Sequence, residues 1–190
     1  MPSRRTFVIG GVIAAVVLVA AVTVAVRAYD AAHRPHLDAA ARRTVPAIEA
    51  YLPTAAAGAW AGPLAERRPG AARWYCAVTP IESRYAAGRL HVGIVAECAE
   101  YLRDGDHLVT DAGYASPLVI GLQRGGAGWT PVHVQHPGDG TRFAWSVNRM
   151  FTADGARVAM RASTNGVFPD PAPAARKAFG LPPRAPIVQG

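Results

Sequence analysis

An uncharged apolar run near the start of the chain, Phe7–Val26, constrains the fold more than any other feature. Its 20 residues would form a helix about 30 Å long, which matches the hydrocarbon thickness of a bilayer. Arg4 and Arg5 precede the run, and Arg27 follows it. The sequence therefore predicts a transmembrane helix that contacts the lipid bilayer through Phe7–Val26, followed by one folded domain.

The alternative is a secretory signal peptide, whose cleavage would leave a secreted protein. Signal peptides have a shorter apolar segment and end at a small-x-small site, and only the weak sites Thr23–Ala25 and Val26–Ala28 are present. The six residues 1–6 look like a cytoplasmic n-region, although arginines also follow the run. We expect an uncleaved signal anchor at residues 7–26 in a single-pass cell-membrane protein whose C-terminal domain is extracytoplasmic.

The formal charge of +7 suggests nucleic-acid binding, but its distribution along the chain argues against it. Residues 1–26 contribute +2, residues 27–72 +2, residues 73–150 zero and residues 151–190 +3, which together give +7. A nucleic-acid-binding domain would carry its basic patch on the folded core. Basic flanks beside an anchor suit anionic lipid headgroups, but the simpler interpretation, which we favour, is a solvated arginine-rich surface. The single lysine, Lys177, among many arginines is typical of a GC-rich bacterial genome.

The rest of the chain divides into three parts by residue pattern. Residues 27–72 predict a helical segment to about residue 52 and then a loop or linker rich in proline and glycine. Residues 73–151 predict an antiparallel sheet with a short closing helix near 141–151, and residues 152–190 predict an extension and a proline-rich, disordered tail from Ser163. The four expected strands are Arg73–Ser83, Arg89–Leu102, Ala115–Arg124 and Trp129–Gln135. The expected fold class is α+β, with a helix packed on a four-stranded meander.

Two cysteines, Cys76 and Cys98, lie in the first two predicted strands. In a simple hairpin the sequence numbers of two paired residues add up to the same value for every pair. If Cys76 pairs with Cys98, the centre of the hairpin is therefore Ala87. The turn Ala86–Gly88 occupies that place on independent grounds, as a three-residue loop that ends in glycine. Directly opposed strand residues are close enough for a disulfide, which would persist outside the cytoplasm. The spacing predicts a Cys76–Cys98 bond, with two free buried thiols as the alternative.

Aromatic residues of the predicted sheet are the candidates for a ligand cleft. Such a cleft would lie between the helices and the concave face of the sheet. Most aromatics in a small domain of this kind are core residues, so a cleft role competes with simple packing. The candidates are Trp74, Tyr101, Tyr114 and Trp129.

No set of side chains predicts a catalytic, cofactor or metal site. His133 and His136 are three apart on a strand, so their rings should face opposite sides of the sheet. His91 could form a polar patch with Glu82 or Glu97, but no nucleophile accompanies it. We therefore expect neither a cofactor nor a metal.

The order of helix, long meander and closing helix resembles the cystatin-like and NTF2-like α+β folds. Local segments also resemble small anchored or secreted bacterial proteins of unknown function: Cys98–Tyr101, Ser116–Leu122, and Asp139–Gly140 followed by Phe143 and Phe151. The resemblance covers about residues 73–151 and implies a fold and a location, but no activity. The protease-binding loop of cystatins and the acid–base pair of NTF2-like isomerases have no counterpart in the sequence.

These observations lead to a non-catalytic, membrane-anchored envelope domain as the expected function. Its partner would be another envelope protein or a small ligand. An envelope hydrolase or isomerase that uses His91 or His133 with a carboxylate is the enzymatic alternative. A basic module that contacts anionic lipid or wall polymer is the third.

Overall fold

The structure, a computed structural model, describes residues 36–59, 63–68, 70–126 and 128–190. This part of the chain is α+β, as expected. The predicted anchor Phe7–Val26 lies outside it, and none of the described helices has the length and apolarity of a membrane span. The helices are α1 (Ala39–Arg43), α2 (Val45–Ala59), α3 (Pro63–Arg67), α4 (Phe143–Met150), α5 (Ala153–Asn165) and α6 (Ala172–Ala178). The strands are β1 (Arg73–Ala86), β2 (Arg89–Asp104), β3 (His107–Gly125), β4 (Gly128–Gln135) and β5 (Ile187–Gln189).

The sheet is the predicted antiparallel meander with one strand added. Its order is β1-β2-β3-β4, and each neighbouring pair is antiparallel. Strand β5 pairs in parallel with the first part of β3, from Leu108 to Thr110. Because successive strands reverse direction, the β1–β2 and β3–β4 turns lie at one end of the sheet and the β2–β3 turn at the other.

The hairpin of β1 and β2 confirms the disulfide but corrects the predicted turn. Cys76 pairs with Cys98, and their sulfurs are bonded. The loop has two residues rather than three: Ala86 pairs with Arg89, and the residues between them, Ala87 and Gly88, have φ of 50° and 72°. The register shifts by one residue between Pro80 and Glu82. This bulge brings Cys76 opposite Cys98, since the turn alone would place it opposite Ala99.

One face of the sheet packs against α1 and α2. The even-numbered residues of β2 from Leu90 to Cys98 are fully or nearly fully buried there, because alternate strand residues share a face. Ile48, Leu52 and Ala56 of α2 follow helical spacing and cover this face. Helix α2 runs through Pro53 to Ala59, and α3 follows, so the linker expected from residue 53 is largely helical.

The opposite face packs against α4 and α5. Helix α4 confirms the predicted closing helix, and Val147, Met150 and Phe151 are buried on this face. The Phe151 ring lies against Gly93, where an added Cβ would be 2.6 Å from Cε1 of the ring. Glycine in the middle of β2 therefore leaves room for the aromatic ring that closes this side of the core.

The expectation of a disordered tail from Ser163 is wrong. Helix α6 buries Ala172 and Ala175 against Tyr101 and Leu108 in a third cluster, which Leu181 also joins. The Arg176 side chain donates a hydrogen bond to the Ala185 carbonyl at 2.9 Å, and β5 then pairs with β3. The prediction failed because alanines can pack closely against a sheet without the large side chains that mark a core in sequence.

Two buried glutamates connect the sheet to helix N-termini. The carboxylate of Glu100, fully buried on β2, accepts hydrogen bonds from the Leu64 and Ala65 amides of α3, both at 3.1 Å. The carboxylate of Glu82 on β1 accepts one from the Thr152 amide at 3.0 Å and a second from the Thr152 hydroxyl at the start of α5. Each carboxylate satisfies amides that have no partner within their own helix and faces the positive end of a helix dipole.

Candidate ligand-binding cleft

A large cleft lies between the α1–α2 junction and the end of the sheet that carries the β1–β2 and β3–β4 turns. Its volume is about 1030 Å³, close to the upper limit of the usual range for small-molecule sites. The helices contribute Ala40, Arg43, Thr44, Pro46 and Ala47, and the sheet contributes Tyr85, Gly88, Arg124, Gly128 and Trp129. We call the sheet side of this region, Arg84 to Arg89 with Arg124, Gly128 and Trp129, the hairpin end.

An aromatic pair forms part of the cleft wall. The ring centroids of Tyr85 and Trp129 are 5.9 Å apart, with an interplanar angle of 57°. Tyr85 is 57% exposed, although it is a large aromatic side chain. Rings with one free face offer apolar contact and a polar edge to a ligand.

The charged groups that line the cleft are both cationic. Arg43 ends α1 and Arg124 lies near the end of β3, and both are exposed. Within the described residues neither forms an ion pair or a hydrogen bond, and no carboxylate or imidazole lines the cleft. The arrangement can therefore bind an anionic or hydroxyl-rich group but supplies no acid–base pair for catalysis.

The four aromatics that the sequence proposed for a cleft do not meet in one place. Only Trp129 lines the cleft described above. Trp74 is buried beside Tyr114, with ring centroids 6.5 Å apart. Tyr101 packs on the opposite face against Tyr75 at 6.2 Å, and burial raises its pKa to about 12, with Asp170 adding to the effect.

Three residues of the cleft, Tyr85, Arg43 and Arg124, were not predicted from the sequence. Tyr85 lies beyond the predicted end of the first strand, and nothing local marks a helix-end arginine as part of a site. The pairing of the strands could have placed Tyr85, because directly opposed residues share a face of the sheet. Tyr85 opposes Leu90, and Leu90 opposes Leu122 on the face that the helices cover.

A second cavity, of about 390 Å³, brings together polar residues that the sequence did not connect. Ser116, His136 and Asp139 line it, together with Tyr114 and Phe143. The His136 ring is 6.0 Å from the Tyr114 ring, and burial lowers the pKa of His136. His133 also lowers this pKa, whereas Asp139 opposes the shift. The Ser116 hydroxyl donates to the Pro117 carbonyl at 3.3 Å, so in the described part of the chain it does not bond His136.

The other candidate histidines lie among cations rather than carboxylates. His91 pairs across the sheet with Arg84 on one side and Gly121 on the other, and Gly121 pairs with His133. Burial lowers the pKa of His91, with further contributions from Arg84, Arg89 and His133. Glu82 is bonded to Thr152, and Glu97 has its pKa raised by burial and by Asp170. The patch of His91 with Glu82 or Glu97 is therefore not formed.

His133 pairs with Gly121 near the end of β4, and His136, which follows β4, lies beside Tyr114. The two residues are close enough for His133 to lower the pKa of His136. Among the residues that the structure describes, no three His, Cys, Asp or Glu side chains are grouped so that they could hold a metal ion.

Comparison with protein-family models, with curated proteins and with solved structures finds no match to the chain. The resemblance to cystatin-like and NTF2-like folds therefore stays a prediction.

Proposed function

We propose that the chain is a single-pass, membrane-anchored protein of the bacterial envelope whose extracytoplasmic domain binds a ligand without catalysing a reaction. The observation that carries the proposal is the cleft at the hairpin end. Two aromatic rings and two guanidinium groups, which have no ion pair within the described residues, line an open volume of about 1030 Å³. These groups recognise a ligand by stacking and by charge-assisted hydrogen bonds.

The proposed location has independent support. The apolar run Phe7–Val26 has the length of a membrane span. The Cys76–Cys98 disulfide joins the edge strand β1 to β2 and suits an oxidising compartment, which favours an extracytoplasmic domain.

A topology experiment tests the location. The full-length chain should remain in the membrane fraction after a carbonate wash, and protease added to intact spheroplasts should digest the C-terminal domain. A soluble mature chain that begins near Val26 would instead support the secreted alternative.

A ligand experiment tests the cleft. Full-length protein would be extracted from its native membrane in mild detergent and analysed by native mass spectrometry. We expect a bound species that is lost when Arg43 and Arg124 are both changed to alanine. A matched control changes Arg161 and Arg184, two exposed arginines outside the cleft lining, and should retain the species. Equal occupancy in both variants, or none in the unchanged protein, would contradict a cleft ligand.

The enzymatic alternative has one observation in its favour, the smaller cavity that Ser116, His136 and Asp139 line together. A serine hydrolase needs a hydrogen bond from the serine to the histidine, and these bonds often tighten only with substrate bound. A fluorophosphonate probe tests this function directly. Labelling that disappears in Ser116→Ala and persists in Ser83→Ala would make the enzymatic function the leading one.

A further inference from the structure

The hairpin end carries a cluster of arginines that the rest of the domain leaves uncompensated. Arg84 and Arg89 flank the β1–β2 turn, Arg124 lies near the β3–β4 turn, and Arg43 faces them from α1. All four are exposed, and in the described part of the chain none forms an ion pair or a hydrogen bond. A partner of negative charge is therefore the chemistry that this surface fits.

The opposite end of the sheet differs in charge. Asp104 and Asp106 lie at the β2–β3 turn, and Asp111 follows on β3. Two arginines near this end are paired, Arg67 with Asp111 and Arg68 with Asp104 at 3.7 Å. Arg103 donates instead to the Gly105 and Phe179 carbonyls, and Arg73, opposite Tyr101, has no ion pair within the described residues. The exposed carboxylates of the β2–β3 turn thus lie far along the strands from the arginines of the hairpin end, where no carboxylate lines the cleft.

His36 and Asp38, which follow the apolar run in sequence, lie close to the hairpin end. The Ser83 amide donates to the His36 carbonyl at 2.9 Å, and the Asp38 amide donates to the Ser83 hydroxyl at 2.9 Å. Ser83 precedes Arg84 directly. Nine residues, 27–35, separate His36 from the end of the apolar run at Val26, and nine residues span about 30 Å even when fully extended.

We propose that the hairpin end docks on the anionic phospholipids of the membrane that carries the anchor, and that the cleft receives a phospholipid headgroup. This inference rests on the proposed anchored topology. The tether keeps the basic end within reach of the bilayer surface. The exposed ring of Tyr85, with the partly buried ring of Trp129 beside it, suits the interface, where amphipathic aromatics concentrate. The guanidinium groups bind phosphate oxygens, and each contributes about a five-fold gain in binding near an anionic surface.

The experiment uses the full-length chain in proteoliposomes, with a photoreactive benzoylphenylalanine in place of Tyr85. One set of vesicles holds phosphatidylcholine alone, and the other holds phosphatidylcholine mixed with phosphatidylglycerol. After irradiation, mass spectrometry detects lipid adducts. The control places the same photoreactive residue at Trp145, which is 62% exposed on α4 and lies outside the hairpin end.

We expect phosphatidylglycerol adducts at position 85, few in phosphatidylcholine alone and few at position 145. Changing Arg84, Arg89 and Arg124 to glutamine should reduce the adducts by at least ten-fold, and high salt should reduce them as well. The charge-matched variant of Arg161, Lys177 and Arg184, all exposed and outside this end, should keep the yield. Equal yields in the two triple variants, or in the two kinds of vesicle, would overturn the proposal.

The same photoreactive chain in native membranes separates this inference from the proposed function. An adduct with a protein or a wall polymer at position 85, without lipid adducts, would overturn lipid docking and leave a ligand-binding cleft standing. The absence of any adduct, in vesicles and in native membranes alike, would contradict both. Excess glycerol phosphate, present during irradiation, should not lower the yield of the lipid adduct, because the proposed occupant is a lipid of the bilayer and not a free phosphate.

Discussion

Gly155→Ala should destabilise this protein, although the same change inside a helix ordinarily stabilises by about 1 kcal/mol. Gly155 lies in the first turn of α5, over the buried carboxylate of Glu82. An ideal Cβ at Gly155 would lie 2.5 Å from Cδ of Glu82 and closer still to Oε2. The carboxylate would have to move, and its hydrogen bonds to Thr152 hold it in place.

The expected magnitude follows from what that movement breaks. Loss of the cap costs about 1–2 kcal/mol, and a buried carboxylate left short of donors costs about 1–3 kcal/mol. After the gain of about 1 kcal/mol in helix propensity, the free energy of unfolding should fall by about 1–4 kcal/mol. In a domain of this size, each kcal/mol lowers Tm by about 2–4 °C.

Urea unfolding of the full-length chain in mild detergent, followed by tryptophan fluorescence, measures the effect. Gly58→Ala is the matched control, because Gly58 lies in α2 and its added Cβ meets no described atom within 4 Å. It should be neutral or stabilising. In a Glu82→Ala background the clash is gone, so Gly155→Ala should recover its ordinary stabilising sign. A Gly155→Ala variant as stable as the unchanged chain would refute the reasoning.

Four further predictions follow from single features of the structure. Truncation after Ala162 should lower the free energy of unfolding by more than about 3 kcal/mol, because it uncovers Tyr101 and Leu108; an unchanged urea midpoint would show that the α6 cluster does not stabilise the domain. Replacing Cys76 and Cys98 together by alanine should cost about 3 kcal/mol by thermal unfolding, since the bond closes a separation of 22 residues; the unreduced native chain should also resist alkylation. Ala87→Asn should stabilise by about 1 kcal/mol, since Ala87 has φ of 50°, and Ala86→Asn should not. The lowered pKa of His136, against an ordinary value of 6.5, means that the unfolded chain binds more protons, so stability should fall as pH drops below about 6.5 and continue to fall towards the folded pKa; urea midpoints at about pH 7.5 and about pH 5.5 should differ less in His136→Gln than in the unchanged chain.

The sheet could be predicted from sequence because its information is local. Alternation of side chains along β2 puts Leu90, Val92 and Cys98 on one face, and the turn residues between the strands mark the hairpins. The bulge near Ile81 could not be predicted, and neither could the two-residue turn that it compensates. The disulfide prediction was correct because these two one-residue differences cancel.

The site was harder to predict because its residues come from distant segments. Tyr101 and Cys98 are three apart on β2, so the alternation of side chains predicts that they lie on opposite faces of the sheet. The same alternation does not show that Tyr85 and Trp129 are in contact. Arg43 reaches the cleft only because α1 and α2 lie over the hairpin end. Helix α6 was missed for a related reason, because Ala172 and Ala175 form a core only when the sheet is there to receive them.

The net charge of residues 73–150 does not show how their charges are distributed over the surface. Residues 73–150 carry seven basic and seven acidic side chains, so their net charge is zero. Two of the acids, Glu82 and Glu100, are buried on helix N-termini, and three others, Asp104, Asp106 and Asp111, lie at or near the β2–β3 turn. No carboxylate of the described residues lines the cleft beside the arginines of the hairpin end, and His36 lies close to this end. A segment of zero net charge can therefore contribute several arginines to one basic surface, because the position of the charges along the strands decides where they lie.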